Sequence, residues 1–265
     1  MPSIQWNRQR WGKEHRWPAH GDEWSYLFGS AAVHWQAFLL PRIHRFLPKL
    51  ETGTARIVEI GPGHGRWTQF LLPHCDSFVG YDVTEECIAY CRQRFGAQVA
   101  GGYAEFHVND GLNLTENDNS VDFVFSFDSL VHVERDVMQS YLGHLGRCLR
   151  PGAVAFLQHS NLGAYPHLQN YRNAGPYNAR GVTVSAATMQ ADAREHGLVT
   201  LIQEGLNHET QFVNNELVDC ISLIQKPASA KTALEPVFLD NKRYAEIGQI
   251  SNASIWHYEH YNLER

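Results

Sequence analysis

The 265-residue sequence predicts an α/β fold built on a mostly parallel sheet with helices on both faces. Three observations predict it. Short apolar runs alternate with amphipathic stretches from residue 56 to about 226. Glycine, proline, asparagine and aspartate punctuate the boundaries between them. The first apolar run ends in Gly61-Pro62-Gly63-His64-Gly65 and passes directly into a helical pattern.

The elements follow in order. Residues 1–24 carry Trp6, Trp11, Trp17 and Trp24 around Pro18 and Gly21, an irregular aromatic arm. A helical pattern runs from about Trp24 to Leu50, kinked at Pro41. Arg56–Ile60 is the first strand, and a helix runs from near Arg66 to Pro73. Ser77–Asp82 is the second strand. Thr84 is placed to cap the next helix, where Cys87, Ile88, Cys91 and Phe95 share a face and Gly96 ends it. Tyr103–Val108 and Val121–Phe127 are the third and fourth strands. Val133, Val137, Tyr141, Leu145 and Leu149 then recur every four residues until Pro151-Gly152. Ala153–His159 is the fifth strand, Ser185 to Gly197 a capped helix, and Val199–Glu204 and Leu217–Gln225 the last strands. This divides the chain into a cap (1–55), an α/β domain (56–226) with a loop insertion at 161–184, and a C-terminal extension (227–265) without core-like strands.

Composition narrows the function. The formal charge of −6 argues against a nucleic-acid partner. The richest apolar stretch, Ala31 to Leu40, is interrupted by His34 and Gln36 and is too short to span a bilayer. No secretion signal precedes it, so a cytoplasmic protein is expected. Five cysteines without a CxxC pair read as reduced core thiols rather than metal ligands.

The glycine run lies where a buried strand turns into a helix. There the chain turns tightly, a ligand must touch backbone, and the helix start favours an anionic group. A dinucleotide fingerprint would need a third glycine at the position of Arg66, so a nicotinamide oxidoreductase remains an alternative with a defective motif. Asp82 closes the second strand 23 residues after Glu59, as a carboxylate able to accept from both hydroxyls of a ribose. Asp110, within Asn109-Asp110-Gly111, closes the third, where it could accept from an adenine amino group. Strand ends share the carboxyl edge of an open α/β sheet, so these positions converge on one nucleoside-sized crevice.

With Val58-Glu59-Ile60-Gly61-Pro62-Gly63-His64-Gly65, Gly80-Tyr81-Asp82, Asn109-Asp110-Gly111, Val121-Asp122-Phe123-Val124-Phe125-Ser126 and Leu149-Arg150-Pro151-Gly152, the chain resembles the class I S-adenosylmethionine-dependent methyltransferases. The resemblance implies a Rossmann-like, seven-stranded, mostly parallel sheet with a reversed last strand. It implies S-adenosylmethionine as cofactor and S-adenosylhomocysteine as product. Its cofactor contacts fall on Glu59, Gly61, Gly63, Gly65, Asp82, Val83, Asn109, Asp110 and Gly111, with Ser126 near the methionine portion. Phe127 to Glu134 and Gln158 to Asn161 resemble bacterial enzymes that methylate sugars or other secondary metabolites.

Methyl transfer needs an aligned acceptor and, for a hydroxyl, a base. Asp128 and His132 follow the fourth strand and His159 ends the fifth. His132 is therefore the first candidate base, His159 the second, and Asp128 the orienting group. The same three could hold a divalent metal, a reading not favoured. Trp11, Trp17, Trp24 and Tyr26 are candidates to close over the site, and Tyr165, Tyr171 and Tyr177 to stack on the acceptor. Arg66 is placed to pair with a carboxylate or to lie on a solvated helix face. The acceptor is expected to be a small polar molecule, with a hydroxyl favoured over an amine, and a homodimer is an option. A non-catalytic binding partner is the alternative from another class.

Overall fold

A computed structural model describes residues 2–48, 54–171, 179–207, 216–229 and 235–259, with side chains left aside at 169–171 and 252–259. Eight strands form one sheet in the order β3-β2-β1-β4-β5-β7-β6-β8. They are β1 (Arg56–Ile60), β2 (Ser77–Asp82), β3 (Ala104–Val108), β4 (Val121–Ser126), β5 (Leu149–Ser160), β6 (Val199–Leu206), β7 (Asp219–Gln225) and β8 (Val237–Asn241). β1 to β5 pair in parallel, and β7 runs antiparallel between β5 and β6. The eighth strand corrects the expectation of seven. It adds to β6 in parallel, and its Val237, Phe238 and Leu239 are exposed, so no buried apolar pattern announced it.

The helices are α1 (Ile4–Gln9), α2 (Ala31–His34), α3 (Leu40–Ile43), α4 (Thr68–Leu71), α5 (Glu85–Arg94), α6 (Gly96–Ala100), α7 (Arg135–Cys148), α8 (Ala186–Glu195) and α9 (Tyr244–Glu259). A π-helical stretch, Trp35–Leu39, joins α2 to α3, and Pro41 sits at the start of α3, where its missing N–H costs little. The pattern from Trp24 is broken before that, because Ala19–Phe28 is a kinked 3-10 segment ending at Gly29. Gly96 opens α6 instead of ending α5. Thr84 does not cap α5 with its side chain; its hydroxyl donates to Asp82 instead.

Period-two alternation in the strands sorts the core. Ile57, Phe123, Phe125 and Phe156 point to one face, where they pack with Trp35, Phe38, Trp67, Leu71 and Tyr244. Val58, Val124 and Leu157 point to the other, against Tyr141, Leu142 and Leu145 of α7 and Met189 of α8. The strand order reverses direction between β1 and β4. Loops leaving the carboxyl ends of these two strands diverge, and such a switch point opens a crevice.

Candidate functional site

The crevice is present. Its empty space, including the open mouth, is about 910 Å3. One wall is the backbone that follows β1. Gly61 (φ 71°) and Gly63 (φ 54°) take left-handed conformations that favour glycine. A Cβ on Gly61 would lie 1.9 Å from the Ser129 hydroxyl, and one on Gly63 would lie 2.7 Å from the Trp17 ring. No other residue type fits either position.

Asp82 is buried at the end of β2 and locks this loop. Its Oδ2 accepts from the Gly63 N–H (3.2 Å), and its Oδ1 accepts from the Thr84 N–H (2.9 Å) and hydroxyl (2.8 Å). With the Val83 backbone these donors use most of the roughly four acceptor sites of a carboxylate. Burial raises its pKa, partly offset by those hydrogen bonds. Glu59 lies beneath the loop, fully buried, accepting from the Thr68 hydroxyl at 2.5 Å; burial pushes its pKa up to about 8. It does not line the crevice, so it supports the loop from below. Gly65 and Ser126 also lie outside the lining; the Ser126 hydroxyl donates to the Ile60 carbonyl, fixing the end of β1.

Val83, Asn109 and Gly111 line the cleft, together with Tyr141 of α7. Asp110 does not. It is exposed, and its carboxylate accepts from the N–H groups of Leu112 and Asn113, both at 2.8 Å. In the Asn-Asp-Gly turn the Asp110 side chain thus binds its own backbone.

Across the cleft, β4 delivers Phe127, Asp128, Ser129, Leu130 and His132 to the lining. Asp128 adopts φ 60°, and its N–H donates to the Gln158 side-chain oxygen at 2.6 Å. Its carboxylate forms an ion pair with Arg66. His132 carries the clearest chemical signal. Its Nδ1 lies 2.9 Å from the Ala179 carbonyl, an obligatory acceptor, so Nδ1 holds the proton and Nε2 keeps its lone pair. Burial pushes its pKa down to about 4, so the ring is neutral across the physiological range. His159 has the same depressed pKa, about 4 and also from burial, but a different place. It is fully buried within β5, donating to the Ser160 carbonyl and accepting from the Ser222 hydroxyl, each at 2.8 Å. It does not reach the cleft, because the antiparallel partner β7 covers the end of β5.

The aromatic arm forms the roof. Trp11, Trp17 and Trp24 line the cleft, and Trp11 packs on His132 with ring centroids 4.8 Å apart. Asn7 was not anticipated, because nothing in its neighbourhood marks it. Its side-chain amide donates to the His132 carbonyl (2.8 Å) and its oxygen accepts from the Trp11 indole (3.0 Å). Tyr26 is 57% exposed and Tyr165 accepts from the Leu217 N–H beside the Leu162 cluster; neither lines the cleft. Tyr177 and the side chain of Tyr171 lie outside the described residues. Among the described residues no three His, Cys, Asp or Glu side chains converge as metal ligands, and no helix is long and apolar enough to cross a membrane.

Residues 57–152 match a family described as a methyltransferase domain, over the strands and loops that build the cleft. Over those residues the chain has a methyltransferase domain. An O-methyltransferase of Penicillium expansum is 28% identical over 98 residues, 37% of this chain and 35% of its own length. A ribosomal RNA small subunit methyltransferase A of Coxiella burnetii is 31% identical over 71 residues, 27% of this chain and 26% of its own. The chain thus matches about a third or less of the length of these curated relatives. The geranyl diphosphate C-methyltransferase of Streptomyces coelicolor A3(2), solved with S-adenosyl-L-homocysteine, superposes with a TM-score of 0.61 at 12% identity, covering 84% of this chain and 97% of that one. The [4+2]-cyclase SpnF superposes with a TM-score of 0.55 at 15% identity over 76% of this chain and 83% of its own. Both solved structures share the α/β fold of this chain. A nicotinamide site is disfavoured by the same cleft: the missing third glycine, Arg66, has its guanidinium in an ion pair across the opening.

The lining fits an adenosyl amino acid. Left-handed glycine backbone after β1 and the buried Asp82 carboxylate that closes β2 stand side by side at its wall.

Proposed function

We propose that the protein transfers the methyl group of S-adenosylmethionine to a hydroxyl of a small acceptor held under the aromatic arm, with His132 taking the proton. The single observation that carries this reading is the hydrogen bond from His132 Nδ1 to the Ala179 carbonyl, which leaves a neutral imidazole with its Nε2 lone pair at the cleft. The cofactor, when bound, supplies a methyl carbon on a positively charged sulfur. The chain does the rest. The glycine loop and Asp82 fix the ligand along β1 and β2, and the tryptophans of the arm exclude water. The Nε2 of His132 would take the proton of an acceptor hydroxyl held beside the methyl group.

The depressed pKa bears on the acceptor. A base this weak takes a proton more readily from an acidic hydroxyl such as a phenol's than from one as weakly acidic as water. A phenol-like hydroxyl is therefore a better acceptor here than the sugar hydroxyl suggested by sequence resemblance. The O-methyltransferase relative supports oxygen as the acceptor atom. The ribosomal RNA relative does not extend to substrate, because this chain has a net charge of −6 and the arm roofs the cleft.

The test is a pair of measurements on His132→Ala. We expect turnover with a phenolic acceptor to fall by roughly 100-fold, while S-adenosylhomocysteine binds within about twofold of wild type by calorimetry. Unchanged turnover removes His132 as the base.

A further inference from the structure

Two buried N–H groups on residues that line the cleft have no partner among the described residues. Arg66 is 5% exposed, and while its Nη2 pairs with Asp128, its Nη1 meets no acceptor among the described residues. Trp67 is 3% exposed, and its Nε1 is likewise unmatched. Both residues line the cleft, and the guanidinium carbon of Arg66 lies 4.2 Å from the centroid of the Trp67 ring. Buried donors left without acceptors are costly, and a native protein keeps them where a ligand satisfies them. Here two adjacent donors, one of them charged, stand beside the apolar surfaces of Phe127, Leu130 and Trp24.

We propose that Arg66 Nη1 and Trp67 Nε1 bind a carboxylate carried by the methyl acceptor, so that the substrate class is a small aromatic or apolar acid bearing the hydroxyl. The inference rests on the methyl-transfer reading above. Position favours the acceptor as the source of the anion. Arg66 is tied to Asp128, which follows β4, the strand that also delivers His132, whereas the cradle of Gly61 and Gly63 belongs to the β1 side.

The shared chemistry is a carboxylate, and the cofactor's own amino-acid carboxylate is the competing source. The experiment is calorimetry on protein saturated with S-adenosylmethionine, titrated with 4-methoxybenzoate or 4-methoxybenzamide, probes with no hydroxyl to methylate. Wild type should bind the benzoate about tenfold or more tightly than the amide. Trp67→Phe, which removes only the N–H and keeps the ion pair and the ring, and Arg66→Gln should each bring the two probes closer to equal affinity. Equal affinity in wild type, or a preference unmoved in Trp67→Phe, overturns the proposal. So does a loss of S-adenosylhomocysteine affinity in Trp67→Phe with 5′-methylthioadenosine affinity unchanged, because the donors would then serve the cofactor's carboxylate. Titrations without cofactor separate this from failure of the parent reading. A benzoate preference in protein that gives no heat with S-adenosylmethionine keeps the anion site and removes methyl transfer.

Discussion

On the β1–β2 side of the cleft the ligand-facing wall is backbone, set by Gly61, Gly63 and one carboxylate, Asp82, within 22 residues of sequence. On the β4 side the wall is side chains assembled from afar. His132 is held by Ala179, 47 residues away, and by Asn7, 125 residues away, and its ring is covered by Trp11. The difference teaches how each half can change. A backbone cradle tolerates little substitution at glycines whose missing side chains leave room for Ser129 and Trp17. A side-chain wall can be rebuilt residue by residue, which suits the half that selects the acceptor.

The largest effect should come from breaking the backbone half. Gly61→Ala places a methyl 1.9 Å from the Ser129 hydroxyl, at a φ of 71° that side-chain-bearing residues avoid. We expect S-adenosylhomocysteine affinity to drop about 100-fold or more, corresponding to ~3 kcal/mol. Adding Ser129→Gly should recover part of that loss and leave the backbone part, which calorimetry on single and double variants would separate. Full affinity in Gly61→Ala would mean that the cradle is not the cofactor wall.

A second, intermediate effect distinguishes the two depressed histidines. Both His132 and His159 have pKa values near 4 in the folded chain, against an ordinary value near 6.5. The unfolded chain therefore takes up protons first as pH falls. Stability from His159 is fully present above about pH 6.5, declines between there and about pH 4, and levels off below. Between pH 7 and pH 5 this one group should account for roughly 2 kcal/mol of lost stability. His159→Gln should flatten that part of the urea-unfolding profile and leave the pH dependence of turnover unaltered. In wild type, turnover should hold down to about pH 5 and fall as His132 becomes protonated. A shifted rate profile in His159→Gln would place His159 in the chemistry after all.

Sequence reading reached the backbone half because its determinants are local. The strand spans Arg56–Ile60 and Ser77–Asp82 agree with the structure, and the glycine spacing locates the turn between them and the following helices. The rule that strand ends face the ligand placed His132 and Asp128 at the cleft, but it failed for His159 and Asp110 for separate reasons. β5 extends to Ser160, and the reversed strand β7 pairs along its whole end, with Asp219 opposite Ser160. Asp110 was taken by a turn that its own side chain stabilises. Asn7 and the Ala179 carbonyl had no local signal, because contacts made across 125 and 47 residues leave no spacing to read. Arg66 was ambiguous for the same reason: a helix-start arginine looks solvated until Asp128 is placed opposite it.

The smallest effect should come from loosening the roof while leaving both walls intact. Asn7 makes two hydrogen bonds that link the arm to the site, one to the His132 carbonyl and one from the Trp11 indole. Neither touches the glycine loop or the Nε2 of His132. Asn7→Ala should therefore leave S-adenosylhomocysteine affinity within about twofold while raising the acceptor KM several-fold, as expected for ~1 kcal/mol of lost tethering. It should also raise quenching of tryptophan fluorescence by acrylamide, since Trp11 loses its anchor and gains contact with water. If KM and quenching both stay put, the arm is held by the packing of its indoles alone. The acceptor half would then resemble the cofactor half in resting on shape instead of on single polar contacts.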